Sequence, residues 1–352
     1  MRQKALLKRV LIFVLILTML IGITACGTGK TDKETNDIKQ TESGTESDTM
    51  KQAGAEESRE EILAGMASML LENTPQPSYG SVGGEWLAFG LSRWGGEVPQ
   101  EWYDSYYEAV ESYVKECEGV LDDRKYTEYS RVIIALTAIG KDPMDVGGYN
   151  LLTPLADYEQ TIFQGLNGPV YALLALDMGN YEIPENVTEN TQATRELYVD
   201  YILSNELEEG GWSLAGGAPE GDITAMVLQA LARYQERQDV ADATERALQV
   251  LSELQNENGG YTAYDVESSE SIAQVIVALT ELGISTEDPR FVKNGRTLED
   301  RLLDFMAEDY GFKHILDGES DMIATEQAFY ALVSLELTEN GMSSLYRLRP
   351  IV

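Results

Sequence analysis

The chain has 352 residues, with 26 lysines and arginines against 60 aspartates and glutamates, and its formal net charge is −34. Nucleic acids, anionic lipids and anionic glycans attract basic proteins, so this charge argues against all three as partners. An acidic surface keeps an extracellular protein soluble, and it also attracts cations or a cationic partner.

The N-terminal residues have the organisation of a secretion signal. Four basic residues precede an apolar run over residues 10–23, and this run of about 14 residues is shorter than the roughly 20 that cross a membrane. The run ends at Ile23-Thr24-Ala25-Cys26, which resembles the lipobox of bacterial lipoproteins. The resemblance implies that residues 1–25 are a cleaved signal peptide and that Cys26 is lipidated. The alternative is an uncleaved N-terminal anchor with an incidental cysteine.

The next part of the chain separates the anchor from a globular head. Residues 26–57 contain no aromatic side chain and almost no large aliphatic one, so they are predicted to form a lipidated, disordered stalk. Residues 58–337 are expected to form a monomeric head, and residues 338–352 a tail that could pack on its outside. This order predicts an extracytoplasmic protein anchored to the bacterial cell membrane.

The head contains a repeated pattern of two helices. Apolar segments recur about 40 to 55 residues apart, a spacing typical of two-helix repeats, and are centred on Gly90-Leu91, Ala135-Leu136, Ala175-Leu176, Ala230-Leu231, Ala278-Leu279 and Ala331-Leu332. We expect outer helices near residues 59–71, 100–118, 154–163, 191–205, 240–255 and 289–306. The more apolar inner helices are expected near residues 86–94, 127–139, 168–178, 223–234, 271–282 and 323–335. Because a helix pair cannot bury its apolar face alone, the six pairs must stack and can close into a ring.

Loops that combine glycine with an aromatic residue precede four of the inner segments. They read Gly83-Gly84-Glu85-Trp86, Gly210-Gly211-Trp212, Gly259-Gly260-Tyr261 and Tyr310-Gly311-Phe312. The stretch from Gln255 to Tyr261 resembles the glutamine-to-aromatic repeat of the protein prenyltransferase and squalene-cyclase superfamily. Residues 164–177 are similar to the repeat of its extracellular bacterial members. The resemblance implies an all-α fold, the α/α toroid, in which six roughly parallel inner helices lie within six outer ones.

In such a toroid all inner helices enter from the same end, so their N-termini surround one mouth, with free N–H groups and partial positive charge. An apolar cavity with a few convergent polar groups is the usual form of a ligand site. The candidate ligand-binding residues here are Glu85, Trp86, Asn167, Trp212, Asp222, Thr224, Tyr261, Tyr264, Glu270, Gln274, Phe312, Asp321 and Thr325. The alternative roles are helix capping for Asp222 and Asp321 and wedge packing between repeats for the aromatic residues.

The motifs of the superfamily's enzymes are missing. The chain has no Asp-x-Asp-Asp acid motif of squalene cyclases, no Cys-Gly-Glu-Gln thioester run and no Gly-x-Ser-x-Gly elbow. A zinc site, as in the prenyltransferases, would have to combine the single histidine, His314, with Cys117, about 200 residues away. We therefore assign no catalytic or metal-binding residue. Paired carboxylates at the mouth, such as Asp222 with Glu270 or Asp321, could still perform the acid–base work of toroid glycosidases.

Two functions of different classes follow from these patterns. The first is a membrane-tethered binding protein that holds a small hydrophobic or amphipathic ligand at the mouth. The toroids of transcobalamin and intrinsic factor, which are similar in architecture, hold corrinoids, so a corrinoid is a candidate ligand by fold-level analogy. The second is an extracytoplasmic enzyme that acts on a terpenoid or glycan through mouth carboxylates. A scaffold that docks another protein on the ring is a third possibility.

Overall fold

The computed structural model describes residues 57–263, 266–342 and 344–348. Within these ranges the chain forms twelve α-helices: α1 (Arg59–Asn73), α2 (Trp86–Trp94), α3 (Gln100–Glu116), α4 (Thr127–Ala138), α5 (Tyr158–Ile162), α6 (Asn167–Met178), α7 (Arg195–Ser204), α8 (Gly221–Leu231), α9 (Gln238–Leu254), α10 (Ser269–Glu281), α11 (Leu298–Leu303) and α12 (Met322–Glu339). None of these helices is long and apolar enough to cross a membrane. The predicted signal peptide, Cys26 and the predicted stalk up to residue 56 lie outside the described residues.

Two short antiparallel hairpins lie directly before inner helices. Strand β1 (Thr262–Ala263) pairs with β2 (Val266–Glu267) ahead of α10. Strand β3 (Phe312–Lys313) pairs with β4 (Ser320–Asp321) ahead of α12. Both hairpins therefore extend the glycine–aromatic loops at the end of the ring where these helices begin.

The even-numbered helices form an inner ring. Each packs against the next, from α2 through α4, α6, α8 and α10 to α12, and α12 packs against α2, so the ring is closed. The odd-numbered helices lie outside it, where α7 packs on α6, α9 on α8, α11 on α10, and α1 on both α2 and α12. The predicted all-α fold, an α/α toroid of six helix pairs, is confirmed.

Burial on several sides explains the composition of the inner helices. In α6, every residue from Asn167 to Met178 except Tyr171 is buried, because neighbouring inner helices and the outer layer enclose the helix. The outer helix α9 instead buries one face, which carries Val240, Ala247 and Leu251, and exposes most of its charged side chains. Helices that are apolar on nearly every side are therefore predicted to lie in the inner layer, and helices with one apolar face in the outer layer.

The sixth outer helix is much shorter than expected. The helix predicted over residues 289–306 spans only Leu298–Leu303, because Thr297 and Asp300 form a capping box that starts it there. Asn294, in the preceding turn, has a φ angle of 52°, a left-handed conformation through which a right-handed helix does not continue. The prediction was therefore wrong for residues 289–297.

The third and fourth outer helices also begin later than expected. In the third pair, a 3₁₀ turn (Thr153–Ala156) is followed by the short helix α5, whose N-cap Asp157 accepts a hydrogen bond from the N–H of Gln160 at 3.0 Å. In the fourth pair, Thr194 caps α7 in the same way, so residues 191–193 stay outside the helix. In both cases the capping side chain, rather than the apolar pattern, sets the start of the helix.

An ion cluster joins the first helix to the last pair. Arg59, the first residue of α1, donates to both carboxylate oxygens of Glu299 on α11 at 2.6 Å. It also donates to Glu339, the last residue of α12, at 2.6 and 3.0 Å. Because the Arg59 side chain is only 16% exposed, these charge-assisted bonds tie together the seam where the ring closes.

The C-terminal tail lies across the C-terminal ends of the inner helices, not on the outside of the head. Arg93, near the end of α2, donates to three carbonyl oxygens of residues 344–347 at 2.9 to 3.1 Å. Glu281, the last residue of α10, accepts from the N–H of Tyr346 at 3.0 Å. The ring of Tyr346 stacks on Phe89 with 5.2 Å between centroids. The tail therefore covers the end of the ring opposite the mouth.

Candidate functional site

The mouth is the end of the ring where the inner helices begin. Three neighbouring helices each leave two side chains partly exposed one turn apart: Asp222 and Met226 on α8, Glu270 and Gln274 on α10, and Ile323 and Gln327 on α12. Most other residues of these turns are buried against neighbouring helices. Because the outer helices cover the far side of the inner ring, the exposed pairs line the central lumen.

A cluster of four rings, the aromatic floor, lies at the bottom of the lumen. Trp86 on α2 is 5.9 Å from Tyr171 on α6 and 6.1 Å from Tyr330 on α12, between ring centroids. Phe89 contacts both Trp86 and Tyr330. Since α4 lies between α2 and α6, the rings of Trp86 and Tyr171 meet across the lumen. Both stay partly exposed, whereas Tyr346 of the tail packs beneath Phe89.

Three glutamines form a polar wall, the glutamine wall, beside the aromatic floor. Gln229 on α8 donates to Oε1 of Gln274 on α10 at 2.9 Å. Gln274 in turn donates to Oε1 of Gln327 on α12 at 2.9 Å and to the hydroxyl of Tyr330 at 2.7 Å. An unpaired amide buried here would cost about 1 to 3 kcal/mol, so the chain of bonds holds these side chains in place. The lumen therefore has an ordered polar side next to an aromatic one.

Asp222 is the carboxyl group with the most perturbed environment among the predicted site residues. The pKa of its carboxyl is raised to about 6, mainly by burial in the wall of the lumen and also by the negative charges of Glu220 and Glu270. Its hydrogen bond from the N–H of Ile223, at 2.9 Å, comes from the adjacent residue, and the N-cap of α8 is Glu220. Asp222 therefore does not cap the helix. A group with a pKa of about 6 is protonated in about one molecule in ten at pH 7.

Glu270 and His314 form a hydrogen-bonded pair at the rim. Both carboxylate oxygens of Glu270 lie 2.9 Å from Nδ1 of His314, which belongs to the hairpin loop before α12. The hydrogen bond to this carboxylate raises the pKa of His314, and the charge of Asp321 adds to the effect. The single histidine is thus held at the mouth with its ring about half exposed. This contact joins the loops of the fifth and sixth repeats.

Glu326 is a buried carboxyl group that sequence reasoning did not single out. It is 2% exposed on α12, one turn below the start of the helix, and it accepts the N–H of Gly83 at 2.7 Å. Burial raises the pKa of Glu326 to about 8, and repulsion from Glu85 contributes in the same direction. At neutral pH this side chain is therefore mostly the uncharged acid.

Glu85 lies in the packing between repeats and not in the lumen. It is fully buried and accepts a hydrogen bond from Nε of Arg131 at 2.9 Å, so it forms a buried ion pair between α2 and α4. Glu85 directly follows the paired glycines of its loop, as Trp212 and Tyr261 do in later repeats, and those residues are also buried. Trp86 comes one residue later and reaches the lumen. The placement favours a structural role for Glu85.

The aromatic residues of the later loops pack as wedges. Trp212 is fully buried, and its Nε1 donates to the carbonyl oxygen of Ile202 at 2.8 Å. The hydroxyl of Tyr261 donates to the carbonyl oxygen of Leu251 at 3.1 Å, and Phe312 is fully buried. These three side chains fill the space between an outer and an inner helix. The structure therefore favours the wedge alternative for them.

The remaining polar candidates support the same loops. Thr224 accepts the N–H of Trp212 at 3.0 Å, and Thr325 accepts the N–H of Phe312 at 2.8 Å. Asp321 is exposed and caps α12 by accepting the N–H of Ala324 at 2.9 Å, as the capping alternative predicts. Two candidates remain: Asn167 is buried at the start of α6, and Tyr264 lies outside the described residues.

The structure thus brings Trp86, Asp222, Glu270 and Gln274 together at the lumen. It adds Tyr171 and Tyr330, which the sequence analysis did not select. Both lie within apolar alanine- and leucine-rich segments, where their hydroxyl-bearing rings are the only signal in the sequence. Tyr171 stays partly exposed, whereas Tyr330 is only 5% exposed and belongs to the core. In the described ranges, no group of three or more His, Cys, Asp or Glu side chains is arranged to hold a metal ion.

Comparison with known proteins supports the fold. The family model of the squalene-hopene cyclase C-terminal domain matches residues 176–309. A type II terpene cyclase from Scytonema superposes with a TM-score of 0.52 at 12% sequence identity, over 80% of this chain and 99% of the cyclase chain. An unsaturated glucuronyl hydrolase from Bacillus sp. GL1, responsible for the degradation of glycosaminoglycan, gives a TM-score of 0.52 at 13% identity, over 81% and 97%. No curated protein matches the sequence significantly. At such low identity, the likeness shows the toroid fold alone.

Proposed function

We propose that the mouth of the toroid binds a small amphipathic molecule, and that lipidated Cys26 and the stalk hold this site outside the bacterial cell. The observation that supports the binding site is the aromatic floor, because Trp86 and Tyr171 remain accessible inside a closed ring. A flat apolar part of a ligand would stack on these rings. The glutamine wall would bind its polar atoms.

The polar end of the ligand is expected to be cationic or rich in hydrogen-bond donors. Asp222 and Glu270 line the lumen, and together with the net charge of −34 they disfavour an anionic ligand at the mouth. Aromatic faces also attract a cation, by about 0.5 to 2 kcal/mol per contact. An organic cation with an apolar body fits both features. A corrinoid stays a candidate by analogy of fold only.

Binding can be tested on the full-length protein extracted from its membrane in mild detergent. Native mass spectrometry is expected to show a retained small molecule, or added mass with benzyltrimethylammonium or cyanocobalamin as probes. Trp86→Leu removes the largest ring of the floor and should weaken binding at least tenfold. Phe163→Leu is the matched control, because Phe163 is 56% exposed. If Trp86→Leu binds like the wild type, or if nothing binds, the proposal fails.

A second function, acid catalysis in the lumen, is favoured by the raised pKa of Asp222. A carboxyl group with a pKa of about 6 can donate a proton at neutral pH, and the adjacent rings would stabilise positive charge that develops on a substrate. The two structural neighbours are named as a terpene cyclase and a glucuronyl hydrolase. Isoprenoid alkenes are therefore the substrate class to try first, because the negative charge of the chain argues against anionic glucuronyl oligosaccharides.

The variant Asp222→Asn separates the two functions, because it removes the acid and keeps the size of the side chain. An enzyme should lose turnover by about 100-fold or more with little change in substrate affinity, as measured by mass spectrometry of the products. A binding protein should show no product with any substrate, and Asp222→Asn should weaken only the binding of cations. Product formation that survives in Asp222→Asn would exclude Asp222 as the acid.

A further inference from the structure

The opposite end of the ring contains a cavity of about 580 Å³. It lies beside the C-terminal ends of α6 and α8, and residues Arg347 and Leu348 of the tail form part of its wall. We call this cavity the tail pocket. Its polar lining consists of Asn180, Arg233, Gln235, Glu236 and Arg347. A volume of roughly 300 to 1,000 Å³ is typical of small-molecule sites, so the tail pocket is large enough for one.

The two arginines of the tail pocket lack acidic partners. Nε of Arg347 is buried and has no hydrogen-bond partner. Arg233 makes two long hydrogen bonds of 3.3 Å, to Oδ1 of Asn180 and to the carbonyl oxygen of Tyr346. In the described ranges, neither guanidinium has a carboxylate within ion-pair distance, although eight other arginines do: Arg59, Arg131, Arg195, Arg237, Arg246, Arg290, Arg296 and Arg301. In a chain with 60 acids and 26 bases, two such arginines in one cavity are unexpected.

Two acids near the arginines are already bound elsewhere, and a third, Glu236, lies exposed on the wall of the pocket. Glu281 accepts from Ser344 Oγ at 2.7 Å and from a backbone N–H of the tail. Asp177 pairs with Arg195 at 2.6 Å and accepts the hydroxyl of Tyr234 at 2.7 Å. Burial lowers the pKa of Arg233, and the positive charge of Arg347 lowers the pKa further, while Asp177 and Glu281 act in the opposite direction. The pocket therefore holds two guanidinium groups that repel each other.

We propose that the tail pocket binds a small organic molecule through a carboxylate or phosphate group held by Arg233 and Arg347. An oxyanion in the pocket would accept hydrogen bonds from the guanidinium groups of both arginines and would relieve the repulsion between them. The C-terminal ends of α6 and α8 oppose an anion by about 0.3 to 1 kcal/mol each, which is less than the attraction of two full charges at close range. The side chain of Asn180 also lines the pocket, whereas the amide nitrogen of Gln235 already donates to the carbonyl oxygen of Leu231 at 3.0 Å and to Oγ1 of Thr244 at 2.9 Å.

Isothermal titration calorimetry of the full-length protein in mild detergent tests this site. Inorganic phosphate and citrate are the separate probes for the two oxyanion classes, at constant ionic strength set with sodium chloride. We expect at least one probe to bind, and Arg233→Gln and Arg347→Gln each to weaken that binding at least tenfold. Arg246→Gln is the control, because Arg246 lies on the outer helix α9 and pairs with Glu206 at 2.7 Å. It should bind like the wild type.

Three results would overturn the proposal. The first is that neither probe binds the wild type. The second is that both pocket variants bind as tightly as the wild type. The third is that Arg246→Gln weakens binding as much as the two pocket variants do, which would indicate a general effect of charge. Circular dichroism checks that the variants stay folded. Arg347→Lys provides a second measurement, because it keeps the charge and loses the planar two-donor geometry, so it should retain only part of the affinity.

Discussion

Replacing Glu326 by glutamine should change how the stability of the head depends on pH. Burial raises the pKa of this carboxyl to about 8, against 4.5 for an exposed glutamate. Between these two values the folded protein keeps a proton that the unfolded chain releases, so the free energy of unfolding falls as the pH rises. The difference in pKa corresponds to about 5 kcal/mol when both states are ionised, above pH 8.

Glu326→Gln keeps the acceptor for the N–H of Gly83 and has no proton to lose. We therefore expect the variant to match the wild type at pH 4.5 and to become more stable than it by about 2 to 5 kcal/mol at pH 9. Urea unfolding followed by circular dichroism, at intervals from pH 4.5 to 9, measures this difference. Glu101→Gln, on the exposed face of α3, removes the same formal charge and serves as the control.

The result that refutes this reasoning is a constant difference between Glu326→Gln and the wild type across the whole pH range. It would mean that Glu326 is ionised at the same pH in the folded and the unfolded states. A difference that grows equally in Glu101→Gln would instead assign the effect to net charge. In either case the proton would not reside on Glu326 at neutral pH.

Three further predictions concern the seam, the mouth and the anchor. Arg59→Gln should lower the free energy of unfolding, measured by urea denaturation, by about 2 kcal/mol, because it removes the charge-assisted bonds to Glu299 and Glu339. A loss below about 0.5 kcal/mol would show that the seam does not depend on these bonds. The affinity of the mouth for benzyltrimethylammonium should rise as the pH passes upward through about 6, where Asp222 ionises, and calorimetry on Asp222→Asn should show no such rise. Cys26→Ser should move the protein from the membrane to the soluble fraction and abolish labelling by radioactive palmitate; unchanged membrane retention would indicate the uncleaved anchor.

Local patterns in the sequence were sufficient to predict the repeats and the layers. Helix α2 was predicted with both ends correct, because the apolar run from Trp86 to Trp94 stops at Gly95, whose φ angle of 71° suits only the end of a helix. The inner helices are apolar on nearly every face, and this property is visible in composition alone. The start of the sixth outer helix was predicted wrongly because a capping box, formed by the side chains of Thr297 and Asp300, starts the helix late.

The identity of the lumen residues was decided by the tertiary structure. Trp86 and Trp212 follow similar paired glycines, yet Trp212 is a buried wedge and Trp86 lies in the lumen, because Glu85 occupies the wedge position in the first repeat. The sequence shows that Trp86 stands one residue further from the glycines than Trp212 does, but the consequence depends on Arg131 of another helix, which pairs with Glu85 in the wedge position.

The protonation state of Glu326 and the position of the C-terminal tail also could not be predicted from the sequence. The pKa of Glu326 depends on which groups surround it after the ring closes, and those groups come from the opposite end of the chain, at Gly83 and Glu85. The same holds for the tail pocket, where Arg233 and Arg347 are 114 positions apart and meet only across the end of the ring. Periodicity and capping act over a few residues, and they therefore fix helices; charge and burial act through space, and they become defined only in the assembled toroid.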